Sequence, residues 1–509
     1  MGNSTPVIVG VGQIVERLDA SDYQGLTAVE LAAKAVEAAI ADAGADILAK
    51  LDAMTVIRTF PDSVPKAVQP VLAPFGWPEN FAGCIADRLK ISGAEVNHSG
   101  ACGNEPQKWV GVYGSRIAAG EIHAAVICGA EAIATMRKAK ADGQSWDWTQ
   151  HSDYPVNDPG MKTDFMTETE LQRHGGAVPV SVYPLLEQAR RLRLGLSPED
   201  YAIQMGELFA PFTEVAAKNP YAMSQKTLSA KDIATITDSN RMVGDPHPKS
   251  VVARDWVNQG AAVVIVSSTL ADSLGISEDK RVYVHGYADT LEKVVLDRPD
   301  LGVSAAMHSA YDYALAAAGK TFADMRYIDC YSCFPIAVFN ALDHFGLPSK
   351  GDVPYTLTGG LPYFGGPGNN YSMHGIAEAV TCARADCGAF ALVGANGGYM
   401  SKHSVGIYST EPCAWPENSN GRAQAELDSI ESVALDLEPA GTYRLETYTV
   451  IYKGDKPQVA IAIGRSLESG HRAIAVSPDP TVMQKMGELE LGALIAVTAG
   501  QPVNTFAIV

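Results

Sequence analysis

The residues best placed to do chemistry lie in two glycine-rich turns. The first reads Ala101-Cys102-Gly103-Asn104-Glu105-Pro106-Gln107, the second Gly365-Gly366-Pro367-Gly368-Asn369-Asn370-Tyr371. Each opens a helical pattern, and each pattern runs into an apolar strand ending in Gly-Ala. The spacing from Asn104 to Gly129-Ala130 equals that from Asn369 to Gly394-Ala395. Such a repeat of turn, helix and strand predicts a chain built from two copies of one unit. The first copy presents Cys102 where the second has Pro367. A cysteine at the amino end of a helix meets free backbone N–H groups and the positive end of the helix dipole. Both favour the thiolate and lower its pKa. The same N–H groups can hold a thioester oxyanion, and Gly100 and Gly103 let a substrate approach closely. Position alone also fits a small residue filling a tight turn.

Other reactive groups gather near the same places. Cys330 and Cys333 form one C-x-x-C, but it sits in a predicted strand without a second pair, so no metal site is expected. Tyr331 and Ser332, at the end of that strand, point to opposite sides, so one of them should face the site. His374 lies one turn into the second repeated helix, His403 follows Asn396-Gly397-Gly398-Tyr399, and His98 precedes Cys102. All three are candidates for proton transfer, although a histidine more often serves structure. Gly10-Val-Gly12-Gln-Ile-Val15 lacks the third glycine of a dinucleotide fingerprint. A Walker phosphate loop and a G-x-S-x-G nucleophile elbow are missing as well. Arg190, Arg191, Arg193 and Lys249 are local positives that suit either a phosphate or a solvated helix face.

The elements around these residues alternate. Pro6 to Gly12, Ala53 to Arg58, Ile91 to Asn97 and Ala124 to Gly129 read as strands, with helical spacing over 26–43 and after Cys102. The second half repeats the order with Arg281 to Gly286, a helix over 309–323, Tyr327 to Tyr331, the second turn and its helix, and Gly388 to Gly394. The pattern predicts largely parallel sheets covered by helices, in two halves about a pseudo-twofold. Ligands in such sheets sit beyond the carboxyl ends of the strands. We place the first half at 1–270, with a covering insertion at about 136–248, and the second at 271–410. Residues 411–509, with short alternating runs at 444–452, 458–463 and 472–476, read as a small all-β domain.

A chain of 509 residues has room for two to four domains. A net charge of −19 argues against nucleic acid and anionic membranes as general partners, yet leaves room for an anionic cosubstrate on a local basic patch. Eight cysteines without framework spacing suit reduced thiols. The amino terminus has neither the charged and apolar regions of a signal peptide nor a myristoylation pattern, Pro6 standing where Ser or Thr is needed. The expectation is a cytoplasmic protein.

Over roughly residues 5–410 the chain resembles the thiolase superfamily. Tyr183 to Leu194, the Leu196-Ser-Pro-Glu-Asp200 helix start and Lys218-Asn-Pro-Tyr-Ala222 are similar to the covering domain of sterol-carrier-type thiolases. Arg116-Ile-Ala-Ala-Gly-Glu121, Val126-Ile-Cys-Gly-Ala-Glu131 and Asn258-Gln-Gly-Ala-Ala262 resemble flanking elements of the thiolase core. With its β tail the chain looks most like type-1 thiolase-like proteins, often called acetyl-CoA acetyltransferases. The resemblance implies an α/β fold: a duplicated five-layer α-β-α-β-α core plus an OB-like carboxyl-terminal domain. It also implies coenzyme A as cosubstrate with no tightly bound cofactor, an acyl-CoA substrate, a homodimer joined through its sheets, and no metal.

Its catalytic motifs carry over unevenly. Cys102 falls at the nucleophile position within one residue. The strand motif Asn/His-x-x-Phe becomes Tyr331-Ser332-Cys333-Phe334, Gly-His-Pro becomes Gly365-Gly366-Pro367, and Cys-x-Gly-Gly-Gly becomes Gly394-Ala395-Asn396-Gly397-Gly398. An activating histidine and the second cysteine are therefore gone. Each lost acid–base group removes ~10²–10⁴-fold of rate. The expected catalytic set is Cys102 acylated, Tyr331 and His374 moving protons, and Asn396 orienting a substrate oxygen. Gly103, Asn104, Ser332, Gly366, Pro367, Gly397 and His403 are expected around the substrate. The chemistry implied is making or breaking a carbon–carbon bond beside a thioester. A retro-aldolase without a covalent step, and a CoA-ester-binding pseudoenzyme with a partner-docking β domain, are the alternatives.

Overall fold

The computed structural model describes residues 5–166, 168–351 and 353–509. The first sheet has six strands, ordered Pro6–Val15, Asn258–Ser267, Ala124–Ala132, Ala53–Val56, Glu95–His98 and Val156–Asn157. The second is ordered Met325–Cys330, Phe390–Gly397, Lys402–Ser409 and Tyr283–Leu291. Neither is wholly parallel. In each half the strand nearest the end of the repeat runs antiparallel to both neighbours: Asn258–Ser267 in the first, Lys402–Ser409 in the second. The central strands of both sheets are buried along their whole length because helices cover both faces.

Helix Ala28–Ala43 starts on a Thr27–Glu30 capping box and ends at Gly44 in the left-handed conformation. It packs backbone to backbone on the first strand: a Cβ on Gly12 would fall 2.1 Å from the Ala35 carbonyl oxygen. The second half repeats this contact, with a Cβ on Gly286 falling 2.0 Å from Ala314 O in helix Ala305–Ala318. The glycines of the Gly10-x-Gly12 pair thus serve close helix packing. Between the sheets lie the two helices that follow the repeated turns, Glu105–Ala118 and Tyr371–Ala385. They share a core of Val110, Tyr113, Ile117, Met373, Ile376 and Val380 with the inner strand faces. This gives the five-layer α-β-α-β-α core.

The free edge of the first sheet is short and capped. Val156–Asn157 pairs with Val96 and Asn97, and the Tyr154 hydroxyl donates to the Ala94 carbonyl at 2.9 Å.

In the third sheet Lys456–Ser466, Arg472–Ser477, Thr505–Ile508, Leu494–Thr498 and Ala440–Lys453 are neighbours in that order, and the last pairs back with the first. The five strands form a closed ring with its own core of Tyr443, Tyr448, Val450, Ile495 and Phe506, joined by Leu192 of the insertion. Two short strands of the insertion, Met242–Gly244 and His247–Pro248, extend this sheet through the Gly244–Ile451 pair. The ring is tied to the rest by Arg472, fully buried, whose Nη1 donates to the carbonyls of Leu296 and Arg298 at 2.6 Å each. Thr447 Oγ1 donates to the Leu185 carbonyl. No helix among the described residues is long and apolar enough to cross a membrane.

Candidate active site

A cavity of about 720 Å³ opens where the two halves and the insertion meet. Cys102 and Gly103 of the first turn line it, with Tyr331 at the end of strand Met325–Cys330, Asn396 and Gly397 at the end of Phe390–Gly397, and Gly366, Gly368 and Asn369 of the second turn. The insertion adds Val180 and Tyr183 from helix Pro179–Leu194. The remaining wall is mostly apolar, including Phe60, Val64, Leu72, Met161, Phe334 and Leu361. Among the described lining residues there is no histidine, lysine or arginine, and Asp255 is the one carboxylate.

The reactive ends are tightly nested. A Cβ on Gly103 would fall 2.2 Å from the Tyr331 hydroxyl, and one on Gly397 would fall 2.5 Å from the Cys102 Cβ. The first turn therefore meets the two strand ends at a glycine in each contact. Cys102 lies three residues before helix Glu105–Ala118 and adopts φ +112, a conformation normally left to glycine. Its N–H is already spent: it donates to Asn369 Oδ1 at 2.9 Å. The Gly398 N–H reaches the Cys102 sulfur.

The expectation of a lowered thiol pKa is overturned. Burial pushes the Cys102 thiol up to about 11, because the desolvation cost exceeds the attraction of the Lys402 ammonium, and Glu105 opposes the charge. Lys402 itself donates to the Lys162 carbonyl at 2.9 Å and the Ala101 carbonyl at 3.3 Å, pinning the approach to the cysteine. Tyr331 is the member of its pair that faces the cavity. Burial raises its phenol well above the ordinary value, and its hydroxyl has no hydrogen-bond partner among the described residues.

Asn396 is held by Tyr183. The Tyr183 hydroxyl donates its one proton to the Gly398 carbonyl at 3.0 Å and accepts from Asn396 Nδ2 at 2.9 Å and from the Met400 N–H at 3.3 Å. The tyrosine has no second proton to give, so the amide nitrogen must face it. Asn396 Oδ1 is thereby left as a buried acceptor without a partner among the described residues. Tyr183 is fixed in turn by stacking on Phe334, centroids 4.3 Å apart.

Several expected residues stand elsewhere. His374 is fully buried, with Nδ1 2.7 Å from Gln13 Oε1 and the ring against Phe364, and burial pulls its pKa down to about 3. Its helical position turns it toward the first strand, away from the cavity. His403 is likewise buried, its Nε2 3.1 Å from Ser304 Oγ, with its pKa pulled down to about 3 by desolvation. Ser332 faces away and accepts from the Leu361 N–H. Asn104 lies beneath the turn, donating to Ser404 Oγ at 3.2 Å, and Pro367 caps the short turn at Gly368–Asn370 without lining the cavity. His98 borders a separate polar pocket between Asp62 and Asp158. Tyr183, Asn369 and Lys402 escaped sequence reasoning. For Asn369 the signal was present in the repeated turn itself, whereas Tyr183 arrives from an insertion whose docking no local pattern reveals.

Comparison with known proteins adds the following. The thiolase-like protein type 1 additional C-terminal domain matches residues 423–501. An acetyl-CoA acetyltransferase of Methanothermobacter thermautotrophicus is 25% identical over 267 residues, 49% of this chain and 66% of that protein's length. The solved structure of a monomeric SCP2-thiolase-like protein type 1 from Mycobacterium smegmatis is 40% identical, covers 100% of both chains and superposes with a TM-score of 0.85. That of the Ltp2–ChsH2(DUF35) aldolase is 20% identical over 80% of this chain and 97% of its own, TM-score 0.57, a likeness of fold.

Proposed function

The chain belongs to the SCP2-thiolase-like proteins of type 1, within the thiolase superfamily, and from that premise we propose that it breaks or forms the carbon–carbon bond of a 3-hydroxyacyl thioester without acylating its cysteine. The observation that carries this reading is the pairing of two unpartnered groups around a neutral thiol: the Asn396 Oδ1 acceptor and the Tyr331 phenol. A 3-hydroxyl supplies the donor that Asn396 Oδ1 lacks. In the cleavage direction the bond between C2 and C3 breaks. The hydroxyl proton leaves, C3 becomes a carbonyl, and the electron pair passes to C2 as a thioester enolate. Tyr331, protonated at neutral pH, gives its proton to C2 in the same event in which its oxygen takes up the hydroxyl proton, so the phenol is regenerated and no separate base is required. The products are an aldehyde or ketone and a shortened thioester, and atoms and charge balance. The apolar wall suits a hydrophobic acyl group. The aldolase relative of like fold acts in keeping with this chemistry.

Acyl transfer through Cys102, as an acetyl-CoA acetyltransferase performs it, is the second reading. The strained φ of Cys102 and the Gly398 N–H at its sulfur favour it. Against it stand the buried, protonated thiol and the committed Cys102 N–H, which leaves the oxyanion one donor short.

One experiment separates them. Full-length protein is given 3-hydroxyoctanoyl-CoA, and aldehyde release is followed with a hydrazine trap. Non-covalent cleavage predicts activity that survives Cys102→Ser and falls ~10²–10⁴-fold in Tyr331→Phe with KM little changed. Loss of activity in Cys102→Ser, with acyl-Cys102 trapped in the wild type, moves the assignment to acyl transfer. Thioester binding with no turnover in either assay sinks both and leaves a binding protein.

A further inference from the structure

Three buried side-chain oxygens at the second turn have no hydrogen-bond donor among the described residues: Glu131 Oε2, Gln259 Oε1 and Asn370 Oδ1. Glu131 and Gln259 stand directly opposite each other, near the ends of the antiparallel strands Ala124–Ala132 and Asn258–Ser267, so their side chains share one face. That face carries the turn. A Cβ on Gly368 would fall 2.1 Å from Glu131 Oε1, and one on Gly365 would fall 2.6 Å from Gln259 Oε1. The remaining partners of these side chains are fixed. Glu131 Oε1 accepts the Phe60 N–H at 2.6 Å. Gln259 Nε2 donates to the Tyr221 and Phe364 carbonyls at 2.9 and 3.0 Å, which uses both its protons and commits Oε1 to accept. Asn370 Nδ2 donates to the Gly129 carbonyl at 2.7 Å.

We propose that Glu131 is a positioning residue for the reactive cavity, carried as a neutral carboxylic acid whose Oε2 proton is donated to Gln259 Oε1. The shared proton joins the two strands under Gly365 and Gly368. It thereby sets the path of the turn whose Gly366 and Gly368 line the cavity and whose Asn369 clamps the Cys102 N–H. An ionised carboxylate would instead confront the Gln259 oxygen with no donor between them, in a place shut off from water. The surroundings favour the neutral form. Burial pushes the Glu131 carboxyl up to about 8, outweighing the Phe60 N–H. The charged groups that bear on it are Asp62, in the short turn after Phe60, and Asp255, which is itself paired with Arg137; both carboxylates oppose a further negative charge. The second turn and strand Asn258–Ser267 hold no titratable side chain. Between the ordinary value of 4.5 and about 8 the folded chain keeps a proton that the unfolded chain releases, so this contribution to stability falls as pH rises through that window. The inference holds whichever bond the cavity makes or breaks, since Glu131 acts on the turn and not on the substrate.

Two measurements on the full-length protein test this. In infrared difference spectra between about pH 6 and pH 9.5, the wild type should lose the carbonyl band of a protonated carboxyl group. Subtracting the same spectra of Glu131→Gln isolates that band from those of other buried acids, such as Glu168 and Asp329. The variant keeps an acceptor for Phe60 and gives Gln259 a permanent donor, so it should fold and hold the turn at every pH. Hydrogen exchange of peptides spanning 366–371, read by mass spectrometry, should then separate the two proteins. From pH 7 to 9 the wild-type turn is expected to lose about tenfold more protection than that of Glu131→Gln. A double-difference spectrum without the carboxyl band overturns the proposal, because Glu131 is then ionised throughout. Equal exchange profiles in the two proteins overturn it as well, because the proton then does not hold the turn.

Discussion

Asn369 Oδ1 accepts the backbone N–H of Cys102 at 2.9 Å, across 267 positions of sequence. The two residues belong to the two copies of the repeated turn, so the second copy closes on the first exactly at the reactive cysteine's own amide. Asn369 also donates to the Arg58 carbonyl at 2.6 Å and to Ser63 Oγ at 2.9 Å, so every polar atom of its amide is used.

Asn369→Ala should therefore be costly. It strands the Cys102 N–H and the Arg58 carbonyl and removes the brace on a strained φ. Loss of ~2–4 kcal/mol in denaturant unfolding is expected. A loss below about 0.5 kcal/mol would mean that the strained turn holds itself.

The Cys102 thiol, at about 11, exposes only ~10⁻⁴ of its population as thiolate at pH 7. Its alkylation by iodoacetamide, read by peptide mass mapping, should climb about tenfold per pH unit from pH 7 to 10 without a plateau. A plateau by pH 8 would contradict the burial argument. The linkage has a definite sign. Between the ordinary value of 9.0 and about 11 the unfolded chain releases a proton that the folded chain keeps, so this group's contribution to stability is lost as pH rises through that window.

Gly366 stands where a histidine would be needed to activate the cysteine, and a side chain there requires the Arg254 carbonyl to give by a few tenths of an ångström. Gly366 lines the cavity without a positive φ, and a Cβ there would sit 3.2 Å from the Arg254 carbonyl oxygen and 3.5 Å from Leu361 Cδ2. Gly366→His should shift the alkylation profile of Cys102 downward by at least one pH unit. An unchanged profile in a folded variant would show that the imidazole does not reach the sulfur.

The expected pairing of sheets into a homodimer meets the cap on the first sheet's edge, where Val156–Asn157 already occupies the hydrogen-bonding groups beside Glu95–His98. Light scattering on a sizing column at tens of micromolar should give one 53.9 kDa chain. A mass twice that would point to an interface on another face.

Much of the fold was legible because its signals are local. Apolar runs and helical spacing located the strands and helices to within a few residues, and the equal spacing of the two turns announced the duplication. The antiparallel strands were hidden, since a strand buried on both faces carries no mark of its direction. Cys102, Tyr331 and Asn396 line the cavity, as their motif positions led us to expect, because such positions persist where residue types have changed. His374 and His403 were misjudged because proximity in sequence to a reactive turn says nothing about which side of a helix or strand faces the cavity. The rise in the Cys102 pKa was equally out of reach: the helix end is visible in sequence, but the depth of burial that outweighs it is not.

The closed ring of the carboxyl-terminal strands has a mechanical meaning. Its long strand grips helix Pro179–Leu194 at Leu185, two residues from the Tyr183 that aims Asn396. The tail is thus a splint for the reactive amide. Cutting the chain ahead of residue 440 would leave every lining residue present, yet with its alignment gone.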